Sequence, residues 1–149
     1  MKKNTIYTVI ATCMLLFGLM LSSCSKNEDE SAGLRKVRYE ASGDVGVPVS
    51  VQFTPTMETP GYQDFEYEEY AEVSTLPWKK EVLHHSTVHG GFSALVEDGM
   101  PGRRITLKIF ANEELLGTHE ALVGPEGYVS LFMNYFTDGS VQKGGPYYD

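Results

Sequence analysis

The sequence predicts an all-β protein, an immunoglobulin-like antiparallel β-sandwich of seven or eight strands. Apolar and polar residues alternate in short runs, turn residues recur about every 8–12 positions, and no convincing helical period occurs. The predicted folded part, residues 34–137, is close to the roughly 100 residues typical of such a domain. A cleaved signal peptide and a flexible tether are predicted to precede it.

Length and charge limit the classes of function. The 149 residues include 20 acids and 12 bases, a formal net charge of −8. This length suits one domain with one core. The negative balance argues against a nucleic-acid partner, because phosphate binding needs a clustered cationic surface. The two cysteines are too few to hold together a disulfide scaffold of this length.

Residues 1–23 have the pattern of a lipoprotein signal peptide. Lys2 and Lys3 precede an uncharged apolar run from residue 6 to residue 21. The run ends in Leu21-Ser22-Ser23-Cys24, which resembles the bacterial lipobox, whose cysteine receives diacylglycerol. We predict cleavage before Cys24 and its modification by acyl chains such as palmitate. An ordinary signal peptide and an uncleaved anchor helix are the alternatives.

Residues 24–33 form the predicted tether. Ser25-Lys26-Asn27-Glu28-Asp29-Glu30 is too polar to bury apolar surface. The run also resembles the export signal that some Gram-negative groups place after the lipidated cysteine, although a plain linker is the alternative. We expect an outer-membrane lipoprotein facing the cell exterior, or else the periplasm. Without residues 1–23 no free thiol remains, which excludes a disulfide or a cysteine nucleophile.

The first predicted strands lie between residues 38 and 73. Residues 38–41 lead into a turn at Ser42-Gly43-Asp44. Alternation then places four apolar side chains on one face: Val47, Val49, Val51 and Phe53. Residues 54–61 contain two prolines and a glycine and are predicted to be a loop. An acidic strand follows at residues 64–73, with a bulge at Glu68-Glu69.

The later strands are separated by clear turn signals. Predicted strands cover residues 80–83, 92–96, 105–109, 115–123 and 128–136, and Leu76-Pro77-Trp78 interrupts the series. In the last strand Phe132 and Phe136 face away from Val129, Leu131 and Met133, so either both faces are covered or one is an adhesive surface. Residues 138–149 are rich in glycine and polar residues and are predicted to fray.

The order of several short motifs resembles the extracytoplasmic domain of the mycobacterial small membrane proteins called MmpS. The motifs are Arg38-Tyr39-Glu40-Ala41-Ser42-Gly43, Val49-Ser50-Val51, Leu76-Pro77-Trp78-Lys79-Lys80, Ser93-Ala94 and Ile105-Thr106-Leu107-Lys108-Ile109. The resemblance covers roughly residues 37–134. It implies an immunoglobulin-like fold and an accessory role for a resistance-nodulation-division type exporter of lipids or siderophores. Family members have cysteines at the places of Leu107 and Leu131, which implies an apolar contact here instead of a disulfide.

Acidic residues and Trp78 are the predicted binding residues. Six acids and no base occur between residues 58 and 72, including Asp64, Glu66, Glu68 and Glu69. This cluster predicts a patch for a basic partner; a calcium site and a solvated outer face are the alternatives. Trp78 is either a core anchor or an exposed platform for a sugar ring or a partner. Seven of the nine tyrosines, Tyr147 and Tyr148 among them, favour a binding surface.

The histidines are weak candidates for a metal site. His85 and His89 would share a face on one extended strand, whereas His84 would point away from it. Zinc usually takes four ligands, and nothing nearby in the sequence completes the set. Exposed histidines at a strand end are therefore the preferred interpretation, and no metal is predicted.

The sequence thus predicts a non-catalytic, lipid-anchored envelope lipoprotein that binds another envelope component, an envelope protein being the expected partner. It has no Gly-x-Ser-x-Gly elbow, His-Glu-x-x-His motif or phosphate-binding loop. No enzyme activity and no cofactor are expected. The exporter-accessory role and a carbohydrate- or metal-binding surface module are the alternatives.

Overall fold

The computed structural model describes residues 33–60 and 72–148. Within those ranges the chain forms nine strands and no helix. They are β1 (Leu34–Gly43), β2 (Val49–Phe53), β3 (Glu72–Ser74), β4 (Trp78–His85), β5 (Gly90–Val96), β6 (Arg104–Ala111), β7 (Glu114–Leu122), β8 (Val129–Tyr135) and β9 (Val141–Tyr147). No helix long and apolar enough to cross a membrane occurs in these two ranges.

The strands form two antiparallel sheets that pack face to face, which confirms the predicted β-sandwich. The four-stranded sheet has the order β4-β1-β6-β7, and the five-stranded sheet has the order β3-β2-β5-β8-β9. Five of the eight connections cross from one sheet to the other, whereas β2–β3, β6–β7 and β8–β9 are neighbours within a sheet. The predicted acidic strand at residues 64–73 lies almost wholly outside the described residues.

The core consists of the alternate side chains that each strand points inward. In β6 Ile105, Leu107 and Ile109 are fully buried, as the alternation predicts. Val49, Val51 and Phe53 of β2 and Val129, Leu131 and Met133 of β8 face them from the other sheet. Leu107 and Leu131, which stand where the resembling family has cysteines, both belong to this core.

The end of the chain is a strand, so the prediction that residues 138–149 fray is wrong for Val141–Tyr147. An Asp-Gly turn directs the tail back along β8, where it pairs antiparallel from Tyr135↔Val141 to Ser130↔Tyr147. Asp138 Oδ1 accepts hydrogen bonds from the amide (2.9 Å) and the hydroxyl (2.6 Å) of Ser140, and Gly139 has a φ of 83°. The extra strand makes nine where seven or eight were predicted.

The segment after β2 crosses from one sheet to the other. Thr54 still pairs with Gly91 of β5, through its amide (3.0 Å) and its hydroxyl (2.9 Å). Three residues later Met57 bonds the edge of β4, donating to Leu83 O at 2.8 Å and accepting from His85 N at 2.7 Å. This crossover covers one open side of the sandwich and brings backbone carbonyls over the interior.

Candidate functional site

The outward-facing side of the five-stranded sheet is free of charge in the part of the chain that the structure describes. We call this surface the neutral face. Register and alternation place on it Ser50, Gln52, Val73, Ser93, Leu95, Ser130, Phe132, Asn134, Gln142, Gly144 and Tyr147. Hydroxyls, amides and a few apolar or aromatic groups are thus its whole described chemistry. In a chain with 32 charged side chains, such a surface is unusual.

The outward side of the four-stranded sheet has the opposite character. We call it the charged face; its strands carry Lys36, Arg38, Glu40, Lys79, Glu81, Arg104, Lys108 and Glu120. Ion pairs join most of these groups to one another: Lys36 Nζ lies 2.9 Å from Glu81, and Arg38 Nε lies 2.8 Å from Glu40. The hydrogen bond from Lys36 lowers the pKa of Glu81. The charged face therefore neutralises itself locally.

Two rows of residues cross the neutral face. One row runs over four strands, from Gln52 through Ser93 and Phe132 to Gly144. The next row contains Ser50, Leu95, Ser130 and Tyr147. Because neighbouring strands lie about 4.8 Å apart, each row extends over roughly 14 Å. The rows bring together residues that are as far apart in the sequence as 52 and 144.

Phe132 and Tyr147 form the aromatic part of the neutral face. The ring of Phe132 occupies the place that a side chain at position 144 would need, so Gly144 is what allows it to lie there. A bulge in β9 between the partners of Ser130 and Phe132 returns Tyr147 to the outward side. The two rings are nearly parallel, with an interplanar angle of 17° and centroids 6.5 Å apart.

Four polar side chains of the neutral face take no part in the hydrogen bonds of the fold. Within the described residues, no hydrogen bond involves the side chains of Gln52, Ser93, Ser130 or Gln142. Gln52 and Gln142 are exposed, while the two serines are half-buried between their neighbours. These four groups consequently retain their donors and acceptors for water or a ligand.

A second group of polar residues lies inside the sandwich, around His84. Its Nε2 lies 2.7 Å from Pro55 O and 3.2 Å from Thr54 O, and its Nδ1 meets the hydroxyl of Tyr135. Carbonyl oxygens only accept, so Nε2 carries the proton and the Tyr135 hydroxyl donates to Nδ1. His84 therefore ties β4 to the crossover segment and to β8.

The environment of His84 favours the neutral imidazole. Burial lowers the pKa of His84 to about 4, and the nearby Arg35 acts in the same direction. Arg35 donates to Val88 O at 2.6 Å, and its guanidinium lies 4.8 Å from the ring centroid of Tyr135. Burial also raises the pKa of the hydroxyls of Tyr39 and Tyr135. Because His84, Tyr39 and Tyr135 are fully buried, this cluster holds the sandwich together and is closed to a substrate.

Of the predicted binding residues, only Trp78 lies among the residues that the structure describes. Asp64, Glu66, Glu68 and Glu69 lie outside the described residues, as does Cys24. Trp78 is buried, with 8% of its surface exposed, and contacts Phe53 and Phe92 at centroid distances of 5.5 Å. It is a core residue that only borders a surface cavity of about 330 Å³ beside Pro77 and Lys79. Its burial agrees with the core anchor, one of the two interpretations of Trp78, and not with an exposed platform.

The histidines do not form one cluster. His84 is buried, which corrects its interpretation as an exposed residue. The chain turns at residues 86–87, so His85 ends β4 and His89 precedes β5. His85 Nδ1 bonds the hydroxyl of Thr87 at 2.8 Å, and His89 packs edge-on against Phe136. Among residues 33–60 and 72–148, no group of three or more His, Cys, Asp and Glu has a metal-binding arrangement.

No protein-family model and no curated protein matches the chain. The neutral face was missed by the sequence analysis, although two of its signals were visible. Phe132 had the outward parity of its strand, and Tyr147 belonged to the unusually large set of tyrosines. The polar residues around them gave no signal, because serine and glutamine at outward positions are ordinary.

Proposed function

We propose that the protein is a non-catalytic lipoprotein of the bacterial cell envelope, anchored through Cys24, that uses its neutral face to bind another envelope component. One observation carries the proposal: the five-stranded sheet presents no charge outward among the described residues, while the other sheet presents eight. The lipobox and the polar tether supply the anchoring part of the proposal.

The energetics of desolvation favour the neutral face as the binding surface. Covering a charge is costly unless a partner compensates it, whereas hydroxyls and amides exchange water for ligand hydrogen bonds at a lower cost. The charged face would also have to lose or rearrange the ion pairs of Arg38 and Lys36. Charged residues are depleted at the centres of protein interfaces for the same reason.

The anchor would determine where this surface works. A tether at residues 24–33, as the sequence predicts, would suit a domain held at a membrane surface and free to orient. We propose the outer membrane, with the domain facing the cell exterior, as its location. An immunoglobulin-like arrangement of the strands is part of the same proposal.

Site-specific photo-crosslinking in living cells tests the binding surface. A photoreactive phenylalanine is introduced at Ser93, the centre of the neutral face, or at Thr106, its counterpart on the charged face, in the full-length lipoprotein. Both positions are half-buried and lie on central strands. We expect a product of higher mass from position 93 and none from position 106. No product from position 93, or equal products from both, would contradict the proposal.

A further inference from the structure

We infer that the ligand of the neutral face is an uncharged glycan chain, with Phe132 and Tyr147 as the platform for its sugar rings. The inference rests on the proposed function and specifies its ligand class. Four properties of this surface support it: the absence of charge, the aromatic pair, the hydrogen-bonding groups and the shape. Each property reduces the number of ligand classes that fit.

The absence of charged groups on the described part of the neutral face argues against ionic ligands. A phosphate, a carboxylate or a basic peptide needs an opposite charge to offset its own desolvation. The described positions of the neutral face offer neither an ammonium nor a guanidinium nor a carboxylate. A ligand that matches this surface is therefore uncharged along the part that contacts it.

The aromatic pair suits rings that have one apolar side. The ring planes of Phe132 and Tyr147 differ by only 17°. Tyr147 is 55% exposed, and Phe132 is half-buried. A sugar ring presents axial C–H groups on such a side, and an aromatic face accepts them without a charge. The ring of Phe132 lies against the backbone of Gly144, where any side chain would overlap it.

The surrounding polar groups suit hydroxyls on the rest of the ligand. Gln52 and Gln142 each present an amide that both donates and accepts, and Ser93 and Ser130 present hydroxyls with the same property. Sugar hydroxyls also both donate and accept, so either partner can adapt. Protein interfaces share the enrichment in Tyr and Phe, but they are also enriched in Arg and Met and depleted in Ser. The neutral face has three serines and neither Arg nor Met.

The shape of the surface points to a chain and away from a single sugar. Sites for small molecules are concave and enclose most of the ligand. The neutral face is the outer side of a sheet, and its residues form rows of roughly 14 Å across four strands. An extended polymer gains contact along such a row, and a monosaccharide would remain largely in solvent.

Affinity electrophoresis of the mature lipoprotein in mild detergent tests the inference. The gels contain a neutral glucan, mannan, galactan or xylan, the neutral polysaccharide of the producing cell's own envelope, or anionic polygalacturonate. We expect at least one neutral polymer to retard the protein. Tyr147→Ala and Phe132→Ala should weaken that retardation about tenfold each. Leu115→Ala, which removes an equally exposed side chain from β7, should leave it unchanged.

The outcomes separate this inference from the proposed function. Retardation by no neutral polymer, together with a protein crosslinked at position 93, would overturn the glycan inference and leave the binding face in place. Retardation that Tyr147→Ala and Phe132→Ala do not weaken would also overturn it. The absence of crosslinks at position 93 would contradict the proposed function itself.

Discussion

His84 of β4 and Tyr135 of β8 hydrogen-bond across the interior of the sandwich and so join its two sheets. The imidazole is fully buried, and its other nitrogen bonds the backbone of the crossover segment at Pro55. These hydrogen bonds constrain how the two sheets lie relative to each other, because both ring nitrogens must keep their partners. The stability of the fold should therefore depend on the hydrogen bond between His84 and Tyr135.

Tyr135→Phe should destabilise the fold by about 1 to 3 kcal/mol. The substitution removes only the hydroxyl and leaves His84 Nδ1 buried without its donor. Urea denaturation followed by fluorescence measures the change in the free energy of unfolding. Tyr147→Phe is the matched control, since it removes the same group from an exposed ring and should change stability little. Equal effects of the two substitutions would contradict the internal link.

Stability should fall as the pH drops from about 6.5 to about 4. In the unfolded chain His84 takes up a proton near its ordinary pKa of 6.5, whereas in the fold its pKa is about 4. Protons therefore favour the unfolded state in this window, by a total of about 3 kcal/mol at its acid end. Denaturation at a series of pH values measures the slope. His84→Gln should flatten it between pH 6.5 and 4; an unchanged slope would show that other groups cause it.

Gly90→Ala should destabilise the fold by roughly 1 to 3 kcal/mol. A methyl group at position 90 would overlap the ring and hydroxyl of Tyr135, and both residues are buried. The strand leaves little room for the ring to move without breaking its bond to His84. Ser93→Ala in the same strand is the control and should have a smaller effect. A Gly90→Ala protein as stable as the control would contradict this packing.

Gly144→Ala should weaken ligand binding with only a small loss of stability. The new methyl group would displace the ring of Phe132, which lies at the surface and can rotate away. Affinity electrophoresis and urea denaturation of the same variant separate the two effects. Lys143→Ala, on the preceding residue of β9, should change neither quantity. Unaltered binding after Gly144→Ala would remove Phe132 from the binding surface.

Cys24→Ala should release the protein from the membrane fraction. The substitution removes the thiol that we expect to carry the lipid. Once residues 1–23 are cleaved, the polar residues 25–33 bury no apolar surface in a membrane. Fractionation followed by immunoblotting shows where the protein is found. Cys13→Ala, within the predicted signal peptide, is the control and should leave the protein in the membrane. Retention of the Cys24→Ala protein would contradict the lipobox.

Much of the sandwich was predictable because alternation is a local property of a strand. In residues 105–109 and 129–133 the alternation of apolar side chains predicts which side of the strand is buried. β9 could not be recognised in the same way, since Gln142-Lys143-Gly144-Gly145-Pro146 has few strand-forming residues. Its structure depends on pairing with β8. The Asp138-Gly139 turn was the available signal for that hairpin.

The candidate site was less predictable, for reasons of distance and parity. The neutral face joins residues from β2, β5, β8 and β9, and only the strand register reveals that Gln52, Ser93 and Phe132 are neighbours. The burial of His84 could have been predicted from the sequence. It shares its parity in β4 with Trp78 and Val82, both of which are core residues. The prediction of exposed histidines at a strand end did not take this parity into account.

Inserting a charge into the neutral face tests whether this face is the binding surface. Binding of the mature lipoprotein to solubilised envelope material is compared after Ser93→Lys and after Thr106→Lys, with unfolding curves to confirm that both variants fold. We predict at least a tenfold loss of affinity for Ser93→Lys and an unchanged affinity for Thr106→Lys. Equal affinity of the two variants, or a loss confined to Thr106→Lys, would contradict the claim.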